Sequence, residues 1–243
     1  MEAIINIKGL YKNFGAMAVL KGFNLQLREG ENLVVMGKSG SGKSVLIKCI
    51  VGLEDYDSGS VRVLGNEIQS LNPTDLNKIR TDIGFLFQGS ALYDSMSVRE
   101  NLEFPLRRHH ERFKKINDVD SMVMEALNNV GLGHAVDMMP EELSGGMKRR
   151  VALARALILQ PKIILYDEPT TGLDPQTAKE IVALILSVRE KYKTSSIIIT
   201  HDIAFVKMIA DRIILLVDGI NYAEGTFKEL EASEDKQIQA FFK

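Results

Sequence analysis

The stretch from Gly37 to Ser44, GKSGSGKS, constrains this chain more than any other. It matches G-x-x-x-x-G-K-[ST]. The apolar run NLVVM precedes it and a helical run from about Val45 to Val51 follows, which is the setting the motif requires. Its glycines let backbone N–H groups turn inward around phosphate oxygens. Lys43 can then reach the β- and γ-phosphates, and the Ser44 hydroxyl can ligate Mg2+. A chance glycine-rich turn would not also bring the lysine, hydroxyl, strand and helix together.

The rest of the chain reads as strand, helix and strand again. AIINIKGL, VLKGFNLQL, GSVRVLG and DIGFLFQ carry strand patterns, and NPTDLNKIR reads as a short helix. From Gly89 to about Leu157 strand signals vanish and helical ones dominate. Alternation then returns in KIILYDEP, PQTAKEIVALILSVREKY, SSIIIT, IAFVKMIA and RIILLVDG, and the tail FKELEASEDKQIQAFFK reads as helix. This is an α/β core with a helical insert. The 243 residues carry 30 basic and 32 acidic groups, so no electrostatic footprint for nucleic acid appears. The single cysteine, Cys49, sits in an apolar-periodic stretch and reads as a buried structural thiol. No run is long enough to span a membrane, and the N-terminal MEAIINIKGL is not a signal peptide. The basic PLRRHHERFKK reads as a solvated segment.

Three further segments look chemical. IILYDE ends an apolar strand in two carboxylates, where ligands bind in open α/β sheets. Asp167 would hold Mg2+, and Glu168 would polarise an attacking water. The bland alternative is an exposed acidic turn, which the phosphate loop upstream makes the weaker reading. His201 follows SSIIIT at another strand end and is weighed as a γ-phosphate contact. ELSGGMKRR, residues 142–150, places a serine and two glycines at the mouth of a helix, where an anion can be held.

In order, GKSGSGKS, Gln88, LSGGM, LYDEP, TTGLDP and THD resemble the ATP-binding subunit of ABC transporters, over nearly the whole chain. The resemblance implies a P-loop NTPase (RecA-like) core with an antiparallel β subdomain and an inserted α-helical signature subdomain. It implies one nucleotide-binding domain over 1–243, with the core at about 1–88 and 158–243 and the helical subdomain at about 89–157. ATP would be held by Gly37, Lys38, Ser39, Gly40, Ser41, Gly42, Lys43, Ser44 and Val45, the last in place of the usual threonine. Phe14 would stack on adenine, Tyr11 being the weaker candidate. Gln88 would touch Mg2+ and the attacking water, with Ser44 and Asp167 as the other metal contacts. The catalytic set would be Glu168, His201, Gln88 and Lys43, with Asp174 as the D-loop aspartate. Ser144, Gly145, Gly146 and Met147 would face ATP held by a second copy in a head-to-tail homodimer. ATP binding would then close the dimer and hydrolysis release it. Met147 replaces the family's usual glutamine, and a thioether cannot donate a hydrogen bond.

LSGGM with KRRVALARAL, and FLFQGSALYDSMSVRENLEFPLRRH, look like the Mla/Mce-type lipid-transport branch. That implies phospholipid or a related lipid as cargo, moved between bacterial membranes. The partners would be an integral membrane permease docking near residues 89–105 and a lipid-binding Mce-type component, with no nucleic acid. The subunit would sit peripherally on the cytoplasmic face of the inner membrane. Leu92, Tyr93, Met96 and Phe104 are candidate permease contacts, or simply packing. Other readings remain open at this point: an importer of a small solute such as an amino acid, a non-transport ABC ATPase, or a subunit that binds ATP without hydrolysing it.

Overall fold

The computed structural model describes residues 3–109 and 118–242. Residues 110–117, most of the segment read as basic and solvated, lie outside the described residues, as do Met1, Glu2 and Lys243. In chain order the elements are β1 (Ala3–Phe14), β2 (Met17–Arg28), β3 (Asn32–Met36), α1 (Lys43–Ile50), β4 (Ser58–Val63), β5 (Asn66–Glu67), α2 (Pro73–Thr81), β6 (Ile83–Leu86) and α3 (Val98–Arg108). There follow α4 (Val119–Asn129), α5 (Gly145–Leu157), β7 (Ile163–Asp167), α6 (Pro175–Tyr192), β8 (Ser195–Ile199), α7 (Ile203–Ile209), β9 (Arg212–Val217), β10 (Ile220–Gly225), α8 (Phe227–Glu231) and α9 (Lys236–Phe242). The chain divides into two compact units, Met1–Arg80 with Thr194–Lys243, and Thr81–Lys193.

In the first unit β1 and β2 form an antiparallel hairpin turning at Gly15, whose φ of 58° is one that glycine adopts without cost. β1 also pairs antiparallel with β4, and β4 with β5. Ile5, Ile7 and Leu10 of β1 and Phe23, Leu25 and Leu27 of β2 are buried, the alternation of a sheet with one face on the core. A second set of strands is parallel: β3 pairs with both β8 and β9, and β10 closes antiparallel on β9. Every residue of β3 and β8 is buried, which is why NLVVM and SSIII read as unbroken runs. Cys49 is buried on α1, and burial pushes its thiol up to about 11, which makes it inert at neutral pH.

The second unit carries the parallel pair β6–β7 and helices α3 to α6. Ser97 and Glu100 begin α3 with a capping box, each side chain bonding the other's N–H. One apolar cluster joins α3, α4 and α5 through Leu102, Leu106, Val123, Leu127, Val151 and Ala154. Arg99 of α3 pairs with Asp120 of α4.

Two expectations are revised. The tail is not one helix: α8 and α9 are separated at 232–235, where Asp235 turns the chain and accepts the N–H of Gln237 at 2.7 Å. Its preference for bonding nearby backbone outweighs the helical pattern on either side. β10, not singled out by the sequence pattern, is a half-exposed strand of mixed residues recruited by its antiparallel partner.

A buried ion network fastens the first unit. Arg212, at the start of β9, bonds Glu31 at 2.7 and 2.9 Å and also pairs with Glu224 and the Gln26 carbonyl. Burial raises the Glu31 pKa, but the Arg212 guanidinium and the Arg28 N–H outweigh it and hold the carboxyl below its ordinary value. The folded pKa is thus depressed, so Glu31 adds stability above the ordinary carboxylate range and loses it as pH falls. Arg212→Ala should cost about 3 kcal/mol in denaturant unfolding, because a buried carboxylate is left uncompensated. Glu31→Gln should flatten part of the acid limb of the stability curve.

Candidate nucleotide site

The phosphate loop leaves β3 at Gly37 and re-enters helix at Lys43. A Cβ on Gly37 would lie 2.5 Å from Ser41 Oγ and 2.7 Å from the Leu216 carbonyl, so only glycine fits. Gly42 has φ 104°, and a Cβ there would meet Val19 at 2.8 Å. The Lys43 ammonium folds back over the loop, donating to the carbonyls of Gly37 and Lys38 at 2.8 and 2.9 Å. α1 has no side-chain cap and no acidic residue in its first turn, so its first N–H groups and its positive end face the loop. Ser44 is exposed in that turn, with Val45 beside it. These features fit a polyphosphate.

Register decides which other residues of the first unit share this edge. Val35 stands opposite Ile199, and Met36 opposite Leu215. Gly37 and the segment Thr200–His201 therefore leave the same end of the parallel strands. Asp202 caps α7, accepting the Phe205 N–H at 3.1 Å, and its own N–H reaches the buried Thr200 hydroxyl at 3.1 Å. His201 is exposed between those anchors. Phe14 ends β1 and is 43% exposed, with the Lys12 ammonium 4.6 Å from the ring centre on one face. Tyr11, 46% exposed, lays its ring against Gly22, where a Cβ would come within 2.9 Å of the hydroxyl. A cavity of about 400 Å³ opens beside the loop, between Met17–Val19, Lys38–Ser41 and the α9 residues Gln237, Ala240 and Phe241. The tail is therefore packed, with Ile238 buried and Phe242 edge-on to Phe227.

The second unit repeats the arrangement. Leu86 of β6 stands opposite Tyr166 of β7, so Gln88 and the pair Asp167–Glu168 leave one strand edge together. Glu168 has φ 49°, unusual for a residue with a Cβ and typical of strain held at a working site. The Thr171 hydroxyl donates to its carboxylate at 2.9 Å and orients it. Gln88 is exposed inside a tight turn closed by the Ser90 N–H on the Phe87 carbonyl at 3.0 Å. Asp174 caps α6, accepting from the N–H groups of Gln176 and Thr177 at 3.1 and 3.0 Å. The Thr177 hydroxyl, followed by its N–H, draws the Asp174 pKa below the ordinary value.

Ser144 caps α5, its hydroxyl oxygen accepting the Met147 N–H at 3.2 Å. The two glycines differ. A Cβ on Gly146 would strike Thr177 Cγ2 at 2.7 Å, whereas a Cβ on Gly145 would meet nothing within 4 Å among the described residues. Met147 is half-buried against the helical core, so an apolar setting stands where a glutamine amide would need partners. Arg149, the second of three consecutive basic residues, is 4% exposed and bonds the carbonyls of Phe87 at 2.7 Å and Thr171 at 3.4 Å. Arg150 pairs with Glu180. Of the candidate permease contacts, Tyr93 is 43% exposed and packs its ring, tilted, against Phe104 with centres 4.9 Å apart, while Leu92 packs on the helical core.

Comparison with known proteins identifies the family. The sequence profile of the family described as ABC transporter matches residues 20–171. The chain is 41% identical over 228 residues to the methionine import ATP-binding protein MetN of Clostridium tetani, covering 93% of this chain and 70% of that one. It is 37% identical over 242 residues to the intermembrane phospholipid transport system ATP-binding protein MlaF of Haemophilus influenzae, covering 100% and 91%. Among solved structures, the dimeric post-hydrolysis state of the ATP-binding cassette MJ0796 bound to ADP and Pi superposes with a TM-score of 0.79. It shares 34% identity, over 92% of this chain and 98% of that one.

The contrast between the glycines is testable. Gly146→Ala should destabilise the chain by about 1–3 kcal/mol through overpacking. Thr177→Ser removes the clashing methyl and keeps the bond to Asp174, so it should recover most of that loss in a double-mutant cycle.

Proposed function

The chain belongs to the ABC transporter family as an ATP-binding, ATP-hydrolysing subunit of a transporter, and from that premise we propose which residues act and what is moved. Lys43 and the N–H groups of Gly37 to Val45 hold the phosphates, with Phe14 on the adenine. Gln88, Glu168 and His201 serve the attacking water and the γ-phosphate. Catalysis of this kind is positioning and charge stabilisation. The oriented carboxylate of Glu168 supports its role as the base. Ser44, Gln88 and Asp167 supply only oxygen donors, a set suited to Mg2+ arriving with the phosphates. The ion would neutralise developing charge on the phosphoryl group.

Gly145 carries the half-site reading. Nothing among the described residues requires it to lack a side chain, yet it lies at the exposed mouth of α5, where an anion can approach. A second copy supplying its ATP there would make a head-to-tail dimer, and the similar cassette structure bound to ADP and Pi is a dimer. Asp174 would lie at that dimer interface as well as capping α6. One nucleotide-binding domain, with a helical subdomain over about 89–157, would dock a membrane permease through residues 89–105 at the cytoplasmic face. No helix among the described residues is long and apolar enough to cross a membrane itself.

Phospholipid or a related lipid is the cargo we favour, working with an Mce-type lipid-binding component. The MlaF relative and the LSGGM and SALYDSMSV segments support it. The MetN relative supports the other reading, an importer of an amino acid. Purification from native membranes and reconstitution of the co-purifying permease separates them. Transfer of labelled phospholipid on ATP addition is the outcome expected, and methionine uptake without lipid movement would overturn the lipid assignment.

Glu168→Gln should retain ATP binding and lose hydrolysis by about 100-fold or more; unaltered turnover would show that the base lies elsewhere. Gly145→Ala should leave the melting temperature unchanged and abolish ATP-dependent dimerisation in light scattering.

A further inference from the structure

Two arginines of α5 grip the turn that presents Gln88. Arg149 Nη1 donates to the Phe87 carbonyl, immediately before the glutamine, at 2.7 Å. Arg155 Nη2 donates to the carbonyls of Ser90 and Ala91, just beyond it, at 3.3 and 2.8 Å. Six residues of helix separate these arginines by about 9 Å along the axis, enough to bracket a four-residue turn from both ends. Ser90 and Ala91 have φ of 63° and 49°, left-handed values that side chains with a Cβ avoid unless held.

The grip extends in two directions. Through Nη2, Arg149 reaches the carbonyl of Thr171 at 3.4 Å, and the Thr171 hydroxyl in turn orients Glu168. One guanidinium thus spans the turn carrying Gln88 and the turn carrying Glu168. Arg155 donates through Nη1 to Asn101 Oδ1 at 3.2 Å and lies 5.5 Å from the Tyr93 ring centre. Asn101 is fully buried and ties the segment after the turn, accepting the Tyr93 N–H at 2.9 Å and donating to the carbonyls of Tyr93, Met96 and Ser97. A space-filling arginine would need only some carbonyls. These occupy the carbonyls on both flanks of one exposed glutamine.

We propose that Arg149 and Arg155 are positioning residues that lock Gln88 to Glu168 and to the helix beginning at Ser144, so that displacement of residues 90–97 is transmitted to both ATP-facing parts at once. The proposal rests on the reading above, in which Gln88 and Glu168 act on ATP. Lysine at either position keeps the charge but loses the planar fork, which cannot be replaced by a point charge.

Hydrogen exchange of the full chain reads the bracket without turnover. In Arg149→Lys and, separately, Arg155→Lys, amides of residues 87–91 should exchange about tenfold faster while those of β7 stay protected. Unchanged exchange at 87–91 overturns the bracket whatever the activity. So does exchange rising equally in β7, which would mark general loosening. Turnover reads the consequence. Arg149→Lys should lower kcat on the order of 10–100-fold with KM for ATP nearly constant. In a Gln88→Ala background most of that loss should disappear. Two losses that multiply in full would overturn the transmission through Gln88. A Gln88→Ala chain with normal turnover would instead remove the assigned role of Gln88, while faster exchange at 87–91 would still uphold the bracket.

Discussion

The level ending of parallel strands governs this molecule. In the first unit β3, β8 and β9 run in register, so Gly37 and Thr200–His201 leave from one edge. In the second, β6 and β7 do the same for Gln88 and Asp167–Glu168. A one-residue slip would turn every side chain of a strand to the other face and move the departing loop with it. Full burial of β3 and β8 makes such a slip prohibitive, and close contact at Gly37 seals the loop to β9. Chemistry can then be carried on short loops, because the strand ends supply the precision.

Helix starts are the second recurring device, used in two ways. Ser97, Asp118, Ser144, Asp174, Asp202 and Thr226 all cap helices with their own side chains. Three of these six, Ser144, Asp174 and Asp202, lie within or beside the segments singled out as chemical. The same group therefore sets where a helix begins and how its neighbour is presented: Asp202 frames His201, and Ser144 frames the two glycines. A capping bond of this sort contributes roughly 1 kcal/mol, so such residues have a structural reason to be present whatever else they do.

Much of this was legible in the amino-acid order. The phosphate loop, the buried strands and the acidic strand end are local patterns whose physics is contained in a few adjacent residues. What escaped depends on distant partners. The break between α8 and α9 needed Asp235 to be recognised as a start signal inside an otherwise helical composition. β10 is defined by pairing with β9, not by its own alternation. Arg149 reads as one of three basic residues in a row, yet it stands three and four positions before the buried Ala152 and Leu153, and helical spacing already turns it inward. Gly146 and Gly145 are adjacent and identical in sequence, and only Thr177 across the fold distinguishes them.

The bare start of α1 has a thermodynamic consequence. Every capped helix start discussed above has a side chain on its first N–H groups, and this one has no side-chain cap. A side-chain cap there would contribute roughly 1 kcal/mol, and a ligand that binds only the native state contributes by mass action about 2.7 kcal/mol at a hundredfold excess over Kd. Resistance of this subunit to unfolding and proteolysis should accordingly rise with the concentration of any nucleotide that binds its folded state.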